Sequence, residues 1–374
     1  MKITRIAAAV VAVTTALSLA ACAANEAPAS SAAPGGENSA PTTSTSGTAL
    51  SGTLQGIGAS STKAAQEKWI ADFQTANTGV TINYKPDGSG AGREAFIGGG
   101  ADFAGSDRAF KDEELGAGKF AGCAADSSAL NLPIYISPIA IVFNVEGVTD
   151  LTLDAATTAG IFTGQITTWN DPKIAATNSG VTLPDATITA VHRADGSGTT
   201  NNFTDTLSKL AGEVWTYGAA DDWPEALSGG EKATGTSGVI DAVKNGKNTI
   251  GYADASAAGE LGKASLLVAG TPQQPTAEAA AAIVDHSPRV EGRPEHDLAL
   301  NLDRAAEGVY PAVLVSYALV CETYQDSAKA ELVKAYLGYV ASAEGQAAAA
   351  SAAGSAPLSA DLQAQVKASL DSVK

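Results

Sequence analysis

Arg193, Asp195, Ser197 and Thr199 stand close together, with Gly196 and Gly198 between them, in the stretch Arg193-Ala194-Asp195-Gly196-Ser197-Gly198-Thr199. These residue types suit one task, the holding of a small oxyanion. Arg193 offers a planar fork of donors that matches a tetrahedral anion. The two glycines let the backbone approach a ligand closely and turn its N–H groups inward. A short β-rich run, Ile188 to His192, precedes the stretch, and a helical segment, Asn201 to Leu207, follows it. That helix would aim its positive end and its unpaired N–H donors at the same point. No lysine follows Gly198, so this is not a P-loop. The competing account is a Gly/Ser turn capping a helix, with Arg193 and Asp195 as a surface pair.

The elements that must position such a site recur along the chain. Residues 54–59 have the pattern of a strand, Ser60-Ser61-Thr62 that of a turn, and residues 63–74 that of a helix. Trp69, Ile70 and Phe73 fall on one face of that helix and belong to the core. Val80 to Tyr84 alternates like a strand, and Asp87-Gly88-Ser89-Gly90-Ala91-Gly92 leads into a helix with Phe96 and Ile97. Repeated strand, Gly/Ser turn and helix indicate an α/β architecture. The glycine spacing of the second turn is not that of a dinucleotide fingerprint. Together, Ser60 and Ser61, Ser89, and Ser197 with Thr199 would converge on one ligand at the C-terminal edges of strands. Asn131 to Asn144 is an apolar run containing Pro133 and Pro138, and predicts a strand that leaves the first domain. A second α/β unit follows, with a helix expected at 238–244 and a strand at 249–252. Tyr310 to Cys321 predicts the return crossing, and the Ala-rich tail from Lys329 to Leu370 predicts helix packed back on the first domain.

The chain has 374 residues, enough for two domains with substantial cores. Its net charge of −17 argues against nucleic acid as a partner and requires any anion to be held by local donors. Lys2 and Arg5 open the chain, and Ile6 to Ala21 carries no charge, a run too short for a spanning helix. It ends in Leu19-Ala20-Ala21-Cys22, which resembles the bacterial lipobox. Residues 1–22 are therefore expected to be a lipoprotein signal peptide, cut before a lipidated Cys22; a plain secretory signal or an uncleaved anchor is the alternative. Residues 23–49, almost all Ala, Ser, Thr, Pro and Gly, cannot bury enough apolar surface to fold. Such a tether would reach roughly 25–30 Å. With Cys22 lipidated, Cys123 and Cys321 remain, and export favours a disulfide between them over two buried free thiols. His192, His286 and His296 show no metal-ligand spacing, so no metal site is expected, and no cofactor is expected either.

Gly56-Ile57-Gly58-Ala59-Ser60-Ser61, Asn83-Tyr84 with Gly88 to Gly92, Asp102-Phe103-Ala104-Gly105-Ser106-Asp107 and the Arg193 stretch occur in that order. Together they resemble the PstS family, the phosphate-binding proteins of bacterial ABC phosphate importers. Ile161 to Ile166 before Trp169-Asn170-Asp171, then Ile250-Gly251-Tyr252 and Pro357-Leu358, are further echoes. The resemblance implies a two-domain, periplasmic-binding-protein-like (type II) α/β fold with the ligand cleft between the domains. Domain I would comprise residues 50–139 and 312–374, and domain II residues 140–311. It further implies phosphate contacts from Ser60, Ser61, Ser89, Arg193, Ser197, Gly198 and Thr199, with Asp195 holding Arg193. Asp107 would accept a proton of the bound phosphate. Where the family usually carries threonine, a bulky aromatic and proline, this chain has Ser60-Ser61-Thr62, so the pocket rim lacks its aromatic wall.

The implied protein is a monomer without enzymatic activity, anchored by lipid to the outer face of the cytoplasmic membrane, that passes phosphate to permease subunits. The residues agree with this role. A carboxylate among donors suits an anion that carries a proton, as phosphate does and sulfate does not. On residue pattern alone, Asp107 fits equally a surface or helix-capping position. A binding protein for sulfate, molybdate or an organic phosphate is a second reading. An exported phosphatase is a third, but it would need an activated nucleophile or a metal cluster.

Overall fold

The computed structural model describes residues 49–374. The expected signal peptide with Cys22, and the tether up to residue 48, lie outside the described residues. From Gly52 the chain alternates strand and helix: β1 (Gly52–Gly58), α1 (Lys63–Ala76), β2 (Val80–Lys85), α2 (Ser89–Ile97) and β3 (Phe103–Ser106). β1 pairs in parallel with β2 and β3. Trp69 and Phe73 of α1 are buried against this sheet, as their spacing on one helical face requires.

The long strand β4 (Ala129–Asn144) joins the two halves of the fold. Apart from Asn144 it is buried throughout, which explains its nearly unbroken apolar composition. Ala129 to Pro138 pair with β11 (Val313–Cys321), whereas Ile139 to Asn144 pair with β8 (Thr249–Asp254). Pro133 is accommodated where the β4–β11 register slips at Ser316/Tyr317, a bulge that tolerates a residue without an N–H.

Between these strands the chain forms β5 (Thr152–Leu153), α3 (Ala155–Phe162), α4 (Pro172–Thr177), β6 (Thr189–Arg193) and α5 (Gly198–Leu210). β7 (Glu231–Ala233), α6 (Gly235–Asn245), β8, β9 (Gly262–Val268), β10 (Thr271–Gln273) and α7 (Ala277–Asp285) follow. The strand order is β2-β1-β3-β11-β4-β8-β6-β7, with β9 pairing β4, β5 and β10. β11 returns the chain to the first strand group, where α8 (Ser327–Ala341), α9 (Ala343–Ala353) and α10 (Ala360–Ser372) follow.

The tail packs on that first group as its sequence predicts. Trp69 Nε1 donates to the Gly345 carbonyl at 2.6 Å, and Gln346 Nε2 to the Ile134 carbonyl at 2.9 Å. Cys123 and Cys321 form a disulfide within the same group, with Cα atoms 5.4 Å apart and a sequence separation of 198. Closing so long a loop restricts the unfolded chain. Replacing both cysteines by alanine should cost about 3 kcal/mol of stability, read from guanidinium unfolding of the double variant against the oxidised protein. An unchanged midpoint would contradict this.

Candidate functional site

The strand ends place three turns opposite one carboxylate. Asp107 follows β3 directly and is only 2% exposed, so it is neither a surface residue nor an exposed cap. Its Oδ1 accepts the Ser61 hydroxyl at 2.7 Å, and its Oδ2 accepts that of Thr199 at 3.0 Å. Its backbone N–H donates to Ser89 Oγ at 3.1 Å, and its carbonyl accepts Asn202 Nδ2 at 2.5 Å. Ser61 and Ser89 belong to the first strand group, and Thr199 and Asn202 to α5 of the second. A carboxylate offers about four lone-pair sites. Two hydroxyls leave Asp107 with acceptor capacity for a proton on a ligand.

Close approach explains the glycines. A Cβ on Gly198 would lie 2.7 Å from both the Asp107 Cβ and Ser89 Oγ. Gly88 caps α2 at φ 101°, and a Cβ there would meet Asp195 Oδ2 at 2.6 Å. The backbones also bond directly, Gly90 N–H donating to the Gly196 carbonyl at 2.9 Å.

Arg193 ends β6 with its side chain 2% exposed, so the Arg193–Asp195 pair is not a surface pair. Its Nε donates to Asp195 Oδ1 at 2.7 Å and its Nη2 to Asp195 Oδ2. Asp195 Oδ1 also accepts Gly235 N–H at 2.9 Å, at the start of α6. Burial would raise the Asp195 pKa, but the Arg193 hydrogen bond and charge prevail and hold it below the usual carboxylate range. Ser197 caps α5, its Oγ accepting Thr200 N–H at 3.1 Å. The first-turn N–H groups of Gly198 and Thr199 therefore sit at the positive helix end, where no intrahelical partner exists.

Ser60 stands to one side. Its Oγ accepts Thr236 N–H at 3.1 Å and lies 3.1 Å from Thr236 Oγ1. It bridges the two strand groups at the cleft edge, whereas Ser61 reaches Asp107.

Burial pushes the Asp107 carboxyl up, more than the hydroxyls of Ser61 and Thr199 and the charge of Arg193 lower it. A group whose folded pKa is raised favours folding below its unfolded value, and that contribution is lost as pH rises through the folded value. Asp107→Asn should therefore raise the melting temperature of the ligand-free protein at pH 8, with the gain shrinking toward pH 4. Melting curves at both pH values check this, and a gain that grew on acidification would contradict it.

Several neighbours of the site are given no role by the sequence motifs. Tyr252 OH accepts the Arg193 N–H at 3.3 Å and lies 2.7 Å from Thr200 Oγ1, fixing β6 and α5 together. Asn202 sits one turn beyond Gly198 on the same helix face, so its i,i+4 spacing was a usable signal. Thr236 lies in α6, far along the chain and without a recognisable pattern. His192 is buried, stacked on Trp223 with ring centroids 4.5 Å apart, and its Nδ1 lies 3.0 Å from the Arg193 carbonyl. Burial lowers its pKa. Among the described residues no His/Cys/Asp/Glu group is arranged to hold a metal.

Residues 42–344 match the model of the PBP superfamily domain. The phosphate-binding protein PstS 3 of Mycobacterium leprae is 36% identical over 299 residues, covering 76% of this chain and 78% of that protein. The phosphate-binding protein PstS 2 of Mycobacterium tuberculosis is 32% identical over 292 residues, covering 76% and 78%. Among solved structures, a high-affinity periplasmic phosphate-binding protein (PfluDING) bound with phosphate aligns at a TM-score of 0.68 and 22% identity, covering 85% of this chain and 93% of that one. At that identity the likeness concerns the fold.

Proposed function

The chain belongs to the PstS phosphate-binding proteins, within the PBP superfamily, and from that premise we propose that it captures inorganic phosphate outside the cytoplasm for an ABC importer. The observation that carries this reading is the buried Asp107 carboxylate, held by hydroxyls from both strand groups among oriented donors. Phosphate brings its own proton to that acceptor and presents its remaining oxygens to Arg193, to Ser61 and Ser89, and to the N-terminus of α5 with Ser197, Gly198 and Thr199. Sulfate brings no proton and meets Asp107 charge to charge. Asp195 keeps the guanidinium in place, and Ser60 closes the cleft edge against Thr236.

The two strand groups that meet in β4 act as the two domains, 50–139 with 312–374 and 140–311. Cys22 carries the lipid that holds the protein at the outer face of the cytoplasmic membrane, with residues 23–49 as tether. The protein works as a monomer that hands phosphate to the permease subunits.

Equilibrium dialysis with radiolabelled phosphate tests the reading. Retention of label under a thousandfold excess of sulfate is expected, and displacement by sulfate would favour a protein for another oxyanion. Release of product from a chromogenic phosphate ester would favour the phosphatase reading instead.

A further inference from the structure

Asp221 lies in the irregular segment between α5 and β7, outside every motif of the sequence, yet it ties the two strand groups together. Its carboxylate accepts Arg93 Nη2 at 2.7 Å and Arg108 Nε at 2.9 and 3.1 Å. Both arginines come from the opposite group, Arg93 from α2 and Arg108 from the segment after β3. Their side chains are 6% and 12% exposed. Glu114 completes the cluster, taking Arg108 at 2.6 and 3.0 Å.

The cluster touches the anion site from both sides. Arg93 Nη1 donates to Ser106 Oγ at 2.8 Å, and Ser106 and Arg108 are the two chain neighbours of Asp107. On the other side, the Asp221 carbonyl accepts the N–H of Ser197, the cap of α5, at 2.9 Å. One residue thus holds the arginines beside Asp107 and the helix start that faces Asp107.

We propose that Asp221 is a positioning residue for phosphate capture, a latch that keeps the two groups closed over the anion and slows its release. The inference rests on the phosphate-binding reading above. Two poorly solvated guanidiniums need more negative charge than Glu114 alone supplies, and Asp221 supplies it only while the groups are together. An interaction present in one state of an open–closed equilibrium shifts the population toward that state. An anion enclosed by both groups leaves only on opening, so the shift appears in the release rate.

Asp221→Asn preserves the shape and removes the charge. Stopped-flow tryptophan fluorescence, with Trp223 two residues away as reporter, should show phosphate release at least tenfold faster and an association rate constant within threefold of wild type. Arg108→Gln, which weakens the latch from the opposite group, should also speed release. Release within threefold of wild type in both variants, beside tight wild-type binding, would overturn the latch and leave the functional reading intact. Lower thermal stability with unchanged release would mean that Asp221 only props up its loop, and would overturn it equally. Wild type that failed to bind phosphate would overturn the functional reading and the latch with it.

Discussion

Arg193→Ala should weaken phosphate binding by about 4 kcal/mol, roughly a thousandfold, while the ligand-free protein stays folded. Arg193 is buried at the end of β6, and both its Nε and its Nη2 are engaged by Asp195. Removing it takes away the cation of the proposed phosphate site. It also leaves the Asp195 carboxylate without its cationic partner. The site would then present two carboxylates, Asp107 and Asp195, to an incoming anion. The loss therefore combines missing attraction with new repulsion, which places it in the upper range for a buried, hydrogen-bonded charge. Equilibrium dialysis of the variant checks it. Affinity within tenfold of wild type would remove Arg193 from the site.

Asp107→Asn should change selectivity more than affinity. Sites that leave a buried acceptor repelled reject the wrong ligand by roughly 10⁴–10⁵. Asparagine keeps the size of the side chain, keeps one acceptor for Ser61 or Thr199, and adds an amide donor. Phosphate should lose about tenfold through the missing charge-assisted bond, while sulfate gains because nothing negative faces it. The affinity ratio should move by at least about a hundredfold toward sulfate. Titrating both proteins with both anions at one pH reads that ratio directly. A ratio equal to that of wild type would contradict the role given to Asp107.

Much of this was legible in the sequence because local signals and global packing agree. The Gly/Ser turns predict helix starts beside strand ends, and α1, α2 and α5 begin there. The apolar run with two prolines predicts a crossing strand, and β4 pairs with both strand groups. What could not be read was contact between segments far apart in sequence without a motif of their own. Thr236 meets Ser60 across 176 residues, and Asp221 meets Arg93 across 128. Neither separation leaves a periodic trace. Residue type alone also left Asp107 and the Arg193–Asp195 pair ambiguous, because a surface pair and a buried one look alike until burial is known.

Isothermal titration of the purified protein with inorganic phosphate and then with sulfate decides whether the chain is a selective phosphate binder. Saturable binding of one phosphate per chain is expected, at least about 10⁴-fold tighter than sulfate. Absence of saturable phosphate binding, or sulfate binding of equal strength, would contradict it.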